Sequence, residues 1–415
     1  MIIQNEISVK RNNLFFRLYF LFIIMMVVNF FLTPNPYSAL HSGKAGMDYH
    51  TVSDNFFIIP AYLVLFSLIS LTLYTKRLLL DYKTIIAMTF LLISGLITQE
   101  LLNSPITYIY NFLSFVLIAS IATTSHMSFN NIEIKKLNKI ARYLTYFLII
   151  GVILAIVFPN KYGVLPFEFS RYARGEVTFW NITGVYTIYP IIAILLYRKN
   201  KTKKYIFLSF LMTIIVLSTA TRSLVVLTLL PFAIMFLFYL KPVYKLMFFS
   251  FLLPFGLFFH ERIFAFFTGA NINYSYDITN GRLDLWMYHW RYFKENIFFG
   301  NGAFFMDRFG DYYGRADSEI GFLKWFSENG LFFGLILTVI VAKSILIAIK
   351  HLSKGRLATD IEVFFSLIVL SMLPNIIQSY SRVINLDDMI FWFSVFFLNA
   401  YRKPLLPYID LFKIK

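Results

Sequence analysis

Residues 315–331 read Arg315-Ala-Asp-Ser-Glu-Ile-Gly-Phe-Leu-Lys-Trp-Phe-Ser-Glu-Asn-Gly-Leu331, and from Leu331 to Ile349 the chain is almost wholly apolar. A polar stretch with two carboxylates thus passes into a run long enough to cross a bilayer, which takes roughly 17–25 residues. This junction decides the fold: an α-helical membrane protein with chemistry-bearing residues at the mouth of a span.

Working outward, similar apolar runs recur along the 415 residues, which are 58% hydrophobic and 14% charged, with 49 Phe. A soluble domain has no use for so much apolar surface. About twelve spans are expected: Leu14–Leu32, Phe56–Tyr74, Thr84–Thr98, Thr107–Ser125, Tyr143–Phe158, Asn181–Tyr197, Tyr205–Thr219, Leu224–Leu240, Leu246–His260, Leu331–Ile349, Ile361–Gln378 and Met389–Ala400. The chain reads as one all-α membrane domain, 1–415, without internal repeat or low-complexity linker.

The net charge of +16 reflects orientation, not nucleic-acid binding. With both termini cytoplasmic, most Lys and Arg fall in inside segments such as Arg198-Lys-Asn-Lys-Thr-Lys-Lys204, and most Asp and Glu fall outside. That is the positive-inside bias. The N-terminal run is too long for a cleaved signal and reads as a signal anchor. The absence of cysteine excludes disulfides and thiolate chemistry.

On the outside lie Thr33–Asn55, Pro159–Trp180 and Glu261–Gly330, the last far above ordinary loop length. Within it Asn280 is a plausible N-cap, and Leu283, Trp286, Met287, Trp290 and Phe293 recur at helical spacing. An amphipathic helix on the bilayer surface is expected, its aromatic side at headgroup level. Arg282, Asp284, Arg291 and Glu295 lie off that stripe. His289 reads as an interfacial residue, and Glu328 as a capping or structural residue at the start of the next helix.

Outside arginines are conspicuous because positive charge is scarce there: Arg171, Arg174, Arg222, Arg262, Arg282, Arg291, Arg308, Arg315 and Arg382. Arg222 occupies the break Ser218-Thr-Ala-Thr-Arg-Ser223 between two spans, where an ionisable group is a functional candidate by default. Guanidinium grips diphosphate bidentately and stays charged. The bland alternative, which suits Arg262 and Arg308 better, is snorkelling to lipid phosphates or pairing with acids. Asp317 and Glu319, held at a loop-to-membrane junction, suit a general base. They could instead salt-bridge Arg315 or, less favourably, bind a metal; no His or further acid stands near them, so no metal is expected.

Two stretches carry a resemblance. Asn280-Gly-Arg-Leu-Asp-Leu-Trp286 through Glu295-Asn-Ile-Phe-Phe-Gly-Asn-Gly302 resembles the Gly-Arg-x-x-x-Trp and Asn-Pro-x-x-Gly-x-Gly pattern of the O-antigen polymerase (Wzy) family. Asp317-Ser-Glu-Ile-Gly-Phe-Leu323 with Glu328-Asn-Gly330 is similar to the family's second stretch, and Thr221-Arg222-Ser223 to a turn shared with the related O-antigen ligases. Ile297 stands where Pro is usual, and Glu319 about where ligases carry a His, which favours polymerase.

The resemblance implies an inner-membrane enzyme acting at the periplasmic face on undecaprenyl-diphosphate-linked oligosaccharides. It would transfer the growing glycan to a new lipid-linked unit. Glu319 would be the base with Asp317 its partner, while Arg222, Arg282 and Arg291 neutralise the leaving diphosphate. Arg171, Arg174, Arg315 and Arg382 would complete the binding set. No cofactor is implied, and a chain-length regulator is an expected partner beside membrane lipid. An O-antigen ligase is the alternative, and a lipid-linked oligosaccharide flippase the non-enzyme rival.

Overall fold

The computed structural model describes chiefly residues 79–98, 105–126, 134–157, 183–218, 222–239, 241–247, 282–302, 321–378, 386–400 and 409–410. The principal helices are α1 (Tyr82–Ile97), α2 (Pro105–His126), α3 (Ile134–Val157), α4 (Thr183–Asn200), α5 (Lys204–Ser218), α6 (Arg222–Tyr239), α7 (Arg282–Glu295), α8 (Gly321–Ser353), α9 (Asp360–Gln378) and α10 (Leu386–Ala400). Two-residue strands β1 (Leu79–Leu80) and β2 (Ile409–Asp410) pair antiparallel.

Every expected span that falls in the described residues coincides with a helix, because a bilayer-length apolar run has no other way to satisfy its backbone. Leu14–Leu32 and most of Phe56–Tyr74 and Leu246–His260 lie outside those residues. Among the described residues Phe322–Ser353 is the one helix both long and apolar enough to span by length and composition. Shorter apolar stretches include Tyr82–Ile97, Val226–Tyr239 and Met389–Ala400.

α8, α9 and α10 pack together at the centre. α2 lies on α10, α1 on α8, and α4 on α3, α6 and α9. Trp392, Phe364, Phe391 and Phe397 are fully buried there. An amide clamp joins α8 to α10: Asn399 Nδ2 donates to the Ile340 carbonyl at 3.1 Å and to Ser344 Oγ at 2.5 Å. With little hydrophobic drive between helices in lipid, such packing and hydrogen bonding carry the association.

The bundle has two dissimilar ends. At one, α4 and α8 finish and α9 begins, and charges tie them. Lys199 Nζ lies 2.9 Å from Asp360, and Lys354 Nζ lies 2.7 Å from Glu362. Glu362 also accepts from the Thr359 N–H at 2.7 Å while Thr359 Oγ1 accepts from the Glu362 N–H, a capping box that starts α9. Arg198 stacks over the Tyr239 ring, 4.9 Å away, bringing in the last residue of α6.

At the other end α7 packs on the start of α8. The expected span from Leu331 is the second of two helical pieces in α8; a first piece from Gly321 precedes it, so the last residues of the stretch 261–330 are helical. Gly330, with φ 82° and ψ 177°, then breaks the helix. α3 likewise begins at Ile134, before the expected Tyr143, and includes Lys135, Lys136, Lys139 and Arg142.

Candidate functional site

A broken helix leaves backbone donors and acceptors without their usual partners four residues away. The break at Gly330 is satisfied by the turn that follows α7. The Leu331 N–H donates to the Ile297 carbonyl at 2.7 Å. The Ser327 and Glu328 carbonyls accept from the Asn301 and Gly302 N–H groups, both at 2.9 Å. Asn301 Nδ2 donates to the carbonyls of Tyr292 (2.8 Å) and Ser327 (3.1 Å), and Asn296 Nδ2 to Asn301 Oδ1 at 2.5 Å. Ser94 Oγ, near the end of α1, donates to the Phe299 carbonyl.

Glycine is required on both sides of this clasp. Gly300 and Gly330 have φ near +75° and +82°. A Cβ on Gly300 would collide with the Glu328 carbonyl, and one on Gly330 with the Phe298 carbonyl. The Gly-Asn-Gly302 and Glu-Asn-Gly330 stretches, far apart in sequence, are therefore two halves of one backbone structure.

The clasp sets α7 against α8. His289 is fully buried, and its Nδ1 lies 2.7 Å from Ser327 Oγ, also fully buried. Phe293 meets Phe326 edge-on with centroids 5.8 Å apart. This revises the expected aromatic stripe. Trp286 and Phe293 are part-buried beside His289, whereas Met287 and Trp290 remain exposed. His289 is not an interfacial residue but the centre of the packed face, because a serine is waiting for its nitrogen. Burial, helped by the charge of Glu295, raises the Tyr292 phenol above its ordinary range.

Position 282 recurs with 286, 289 and 293 at the helical period. Arg291 falls on the other face, exposed, with Nε 3.7 Å from Glu295. That geometry speaks against a buried role for Arg291.

Arg222 is the first residue of α6, whose last residue Tyr239 lies at the charged end. The Arg222 backbone is thus at the end that holds the clasp. Gly321, two residues after Glu319, is there too. Asp317, Glu319, Arg171, Arg174, Arg315 and Arg382 themselves lie outside the described residues, as does Asn280. Among the described residues no group of three or more His, Asp or Glu is arranged to hold a metal.

Sequence reasoning missed the His289–Ser327 pair and three buried side chains on the first part of α8: Lys324, Trp325 and Glu328, at 3, 3 and 6% exposure. The signal was available in part, since Lys324 and Glu328 are four apart and so share a helix face.

No curated protein matches the chain. A family model described as O-antigen ligase (Wzy_C) matches residues 207–339, from α5 through the first half of α8, and so takes in Arg222, α7, both halves of the clasp and the Asp317–Glu319 stretch. The family's members are membrane glycosyltransferase-like enzymes, polymerases and ligases alike, acting on lipid-linked oligosaccharides. Over residues 207–339 the chain is thus similar to the O-antigen ligase family.

Proposed function

We propose that the protein is a surface-polysaccharide polymerase of the bacterial inner membrane, transferring a growing glycan from undecaprenyl diphosphate to a new lipid-linked repeat unit at the periplasmic face. One observation supports this reading: the clasp joins the turn after α7 to the first part of α8, at the end of the bundle where α6 starts with Arg222. Helix N-termini present unpaired N–H groups and a positive dipole to an anion, and an arginine there adds a bidentate fork. That combination suits a departing diphosphate.

In this mechanism Glu319 removes the proton from the acceptor hydroxyl as the oxygen attacks the anomeric carbon. The bond to the diphosphate oxygen breaks, and Arg222 and Arg282 take up its charge. Asp317 orients Glu319, while Arg171, Arg174, Arg315 and Arg382 surround the substrate and Arg291 plays a minor part. The clasp end is periplasmic and the charged end, rich in lysine, cytoplasmic, as are both termini.

The ligase reading has one point in its favour, the description of the matching family model. Against it stands Glu319 where ligases carry a His. A deletion strain separates them. Lipopolysaccharide core bearing a single repeat unit is the polymerase outcome; bare core with accumulated lipid-linked polymer is the ligase outcome and sinks the proposal. In a purified elongation assay Glu319→Gln should lower turnover by roughly two or more powers of ten, since it keeps shape but accepts no proton. Near-normal turnover in a folded variant would transfer the base role to Asp317.

A further inference from the structure

Trp325 on α8 and Trp392 on α10 face each other with ring centroids 5.6 Å apart and planes tilted by 48°. They are 3% and 0% exposed, yet neither indole Nε1 has a hydrogen-bond partner among the described residues. Ser114 Oγ on α2 is equally buried and equally without a partner, and its neighbour Phe115 packs edge-on against Trp392 at 5.2 Å. A buried donor left unpaired costs about 1–3 kcal/mol, so several together call for an explanation. Trp325, through which the group joins α8, lies on the segment that follows Glu319 and Gly321, next in sequence to the buried Lys324 and three residues before the buried Glu328.

We propose that Trp325, Trp392 and Ser114 belong to a sugar subsite that receives a ring of the repeat unit close to the reacting centre; this rests on the function proposed above. The chemistry favours a glycan over the diphosphate. Sugar hydroxyls both accept and donate, which matches indole N–H groups and a lysine set beside a glutamate. A diphosphate only accepts, and Glu328 would repel it. The aromatic surroundings of these two rings suit sugar C–H groups, and the indole N–H gives each tryptophan its polar handle.

The test uses the purified full-length chain in detergent micelles, with the soluble oligosaccharide released by mild acid from the host's lipid-linked repeat unit as probe. Calorimetric titration should show Trp325→Phe and Trp392→Phe each weakening binding about three- to tenfold, the loss of one hydrogen bond, with the ring retained. Trp290→Phe, exposed on α7, should bind as the parent does. Phe variants that bind oligosaccharide normally overturn the subsite. So does inorganic pyrophosphate binding that weakens in the same two variants, for the donors would then belong to the diphosphate. If either variant fails to fold, fluorine NMR of the parent labelled with 5-fluorotryptophan decides: oligosaccharide must shift the Trp325 and Trp392 resonances, and unmoved resonances overturn the proposal. Oligosaccharide binding that depends on both tryptophans in a protein that elongates no chains would sink the polymerase reading and leave the subsite standing.

Discussion

The two ends of the bundle solve one problem with different chemistry. Each must hold helix ends that are distant in sequence. The charged end uses side chains: Lys199 and Arg198 to Asp360, Lys354 and His351 to Glu362. The clasp end uses backbone, with Asn301 and Gly302 replacing the helical partners of Ser327 and Glu328. Side-chain ties have neighbours that share the load and give way gradually. Backbone ties that need a positive φ admit one residue type. In the function proposed above, the end that positions reacting groups to within about an ångström is the one built the second way.

Gly330 and Gly355 make the comparison sharp, since both have positive φ, at +82° and +59°. A Cβ at Gly355 meets nothing within 4 Å, whereas at Gly330 it meets the Phe298 backbone. Gly355→Ala should therefore cost about 1 kcal/mol of backbone strain and leave elongation intact. Gly330→Ala should cost more than about 3 kcal/mol and abolish activity, because the strain adds to a collision neither main chain can escape. Thermal unfolding in detergent reads both. Equal losses at the two glycines would mean that the clasp is not rigid.

A second contrast sets His289 against Glu362, each the buried centre of its end. His289→Ala strands the buried Ser327 hydroxyl and opens a cavity under α7, a loss of about 2–4 kcal/mol. Glu362→Gln keeps the Thr359 cap but removes the charge that faces Lys354 and His351, for about 1–3 kcal/mol. Only the first should also lower elongation, since α7 carries Arg282. A Glu362→Gln protein as inactive as His289→Ala would show that the two ends are coupled.

These contrasts also mark what the sequence could show. The helix over Ile361–Gln378 was legible because a long, chiefly apolar run has to satisfy its backbone within itself. The start of α8 was not. Lys324, Ser327, Glu328 and Asn329 look solvated, and nothing local tells that α7, α10 and the 296–302 turn cover them. The stripe on α7 went astray for a related reason: hydropathy ranks Trp290 and Met287 above His289, but a buried serine partner reverses that order. Of the proposed site, the motif residues stood out as residue types; that Gly300 and Gly330 belong to one structure could not be read without the pairing across it.

The smallest expected effect falls on Arg291, and it separates the two faces of α7. Its side chain is 76% exposed and pairs with Glu295, itself half exposed, one turn on. Such exposed pairs contribute about 0.3–0.5 kcal/mol at most, so Arg291→Ala should leave the unfolding temperature within about a degree or two. Elongation should stay within about twofold, since a charge in high dielectric and pointed away from α8 adds little to a leaving group. Arg282→Ala, at the first residue of α7, should instead cost elongation tenfold or more through lost stabilisation of the diphosphate, about 1.4 kcal/mol for each power of ten. The pair of variants is measured side by side with purified lipid-linked repeat units. If Arg291→Ala proves the more damaging, the exposed face of α7 is the one that meets substrate, and the orientation that His289 and Ser327 impose is not that of the working enzyme.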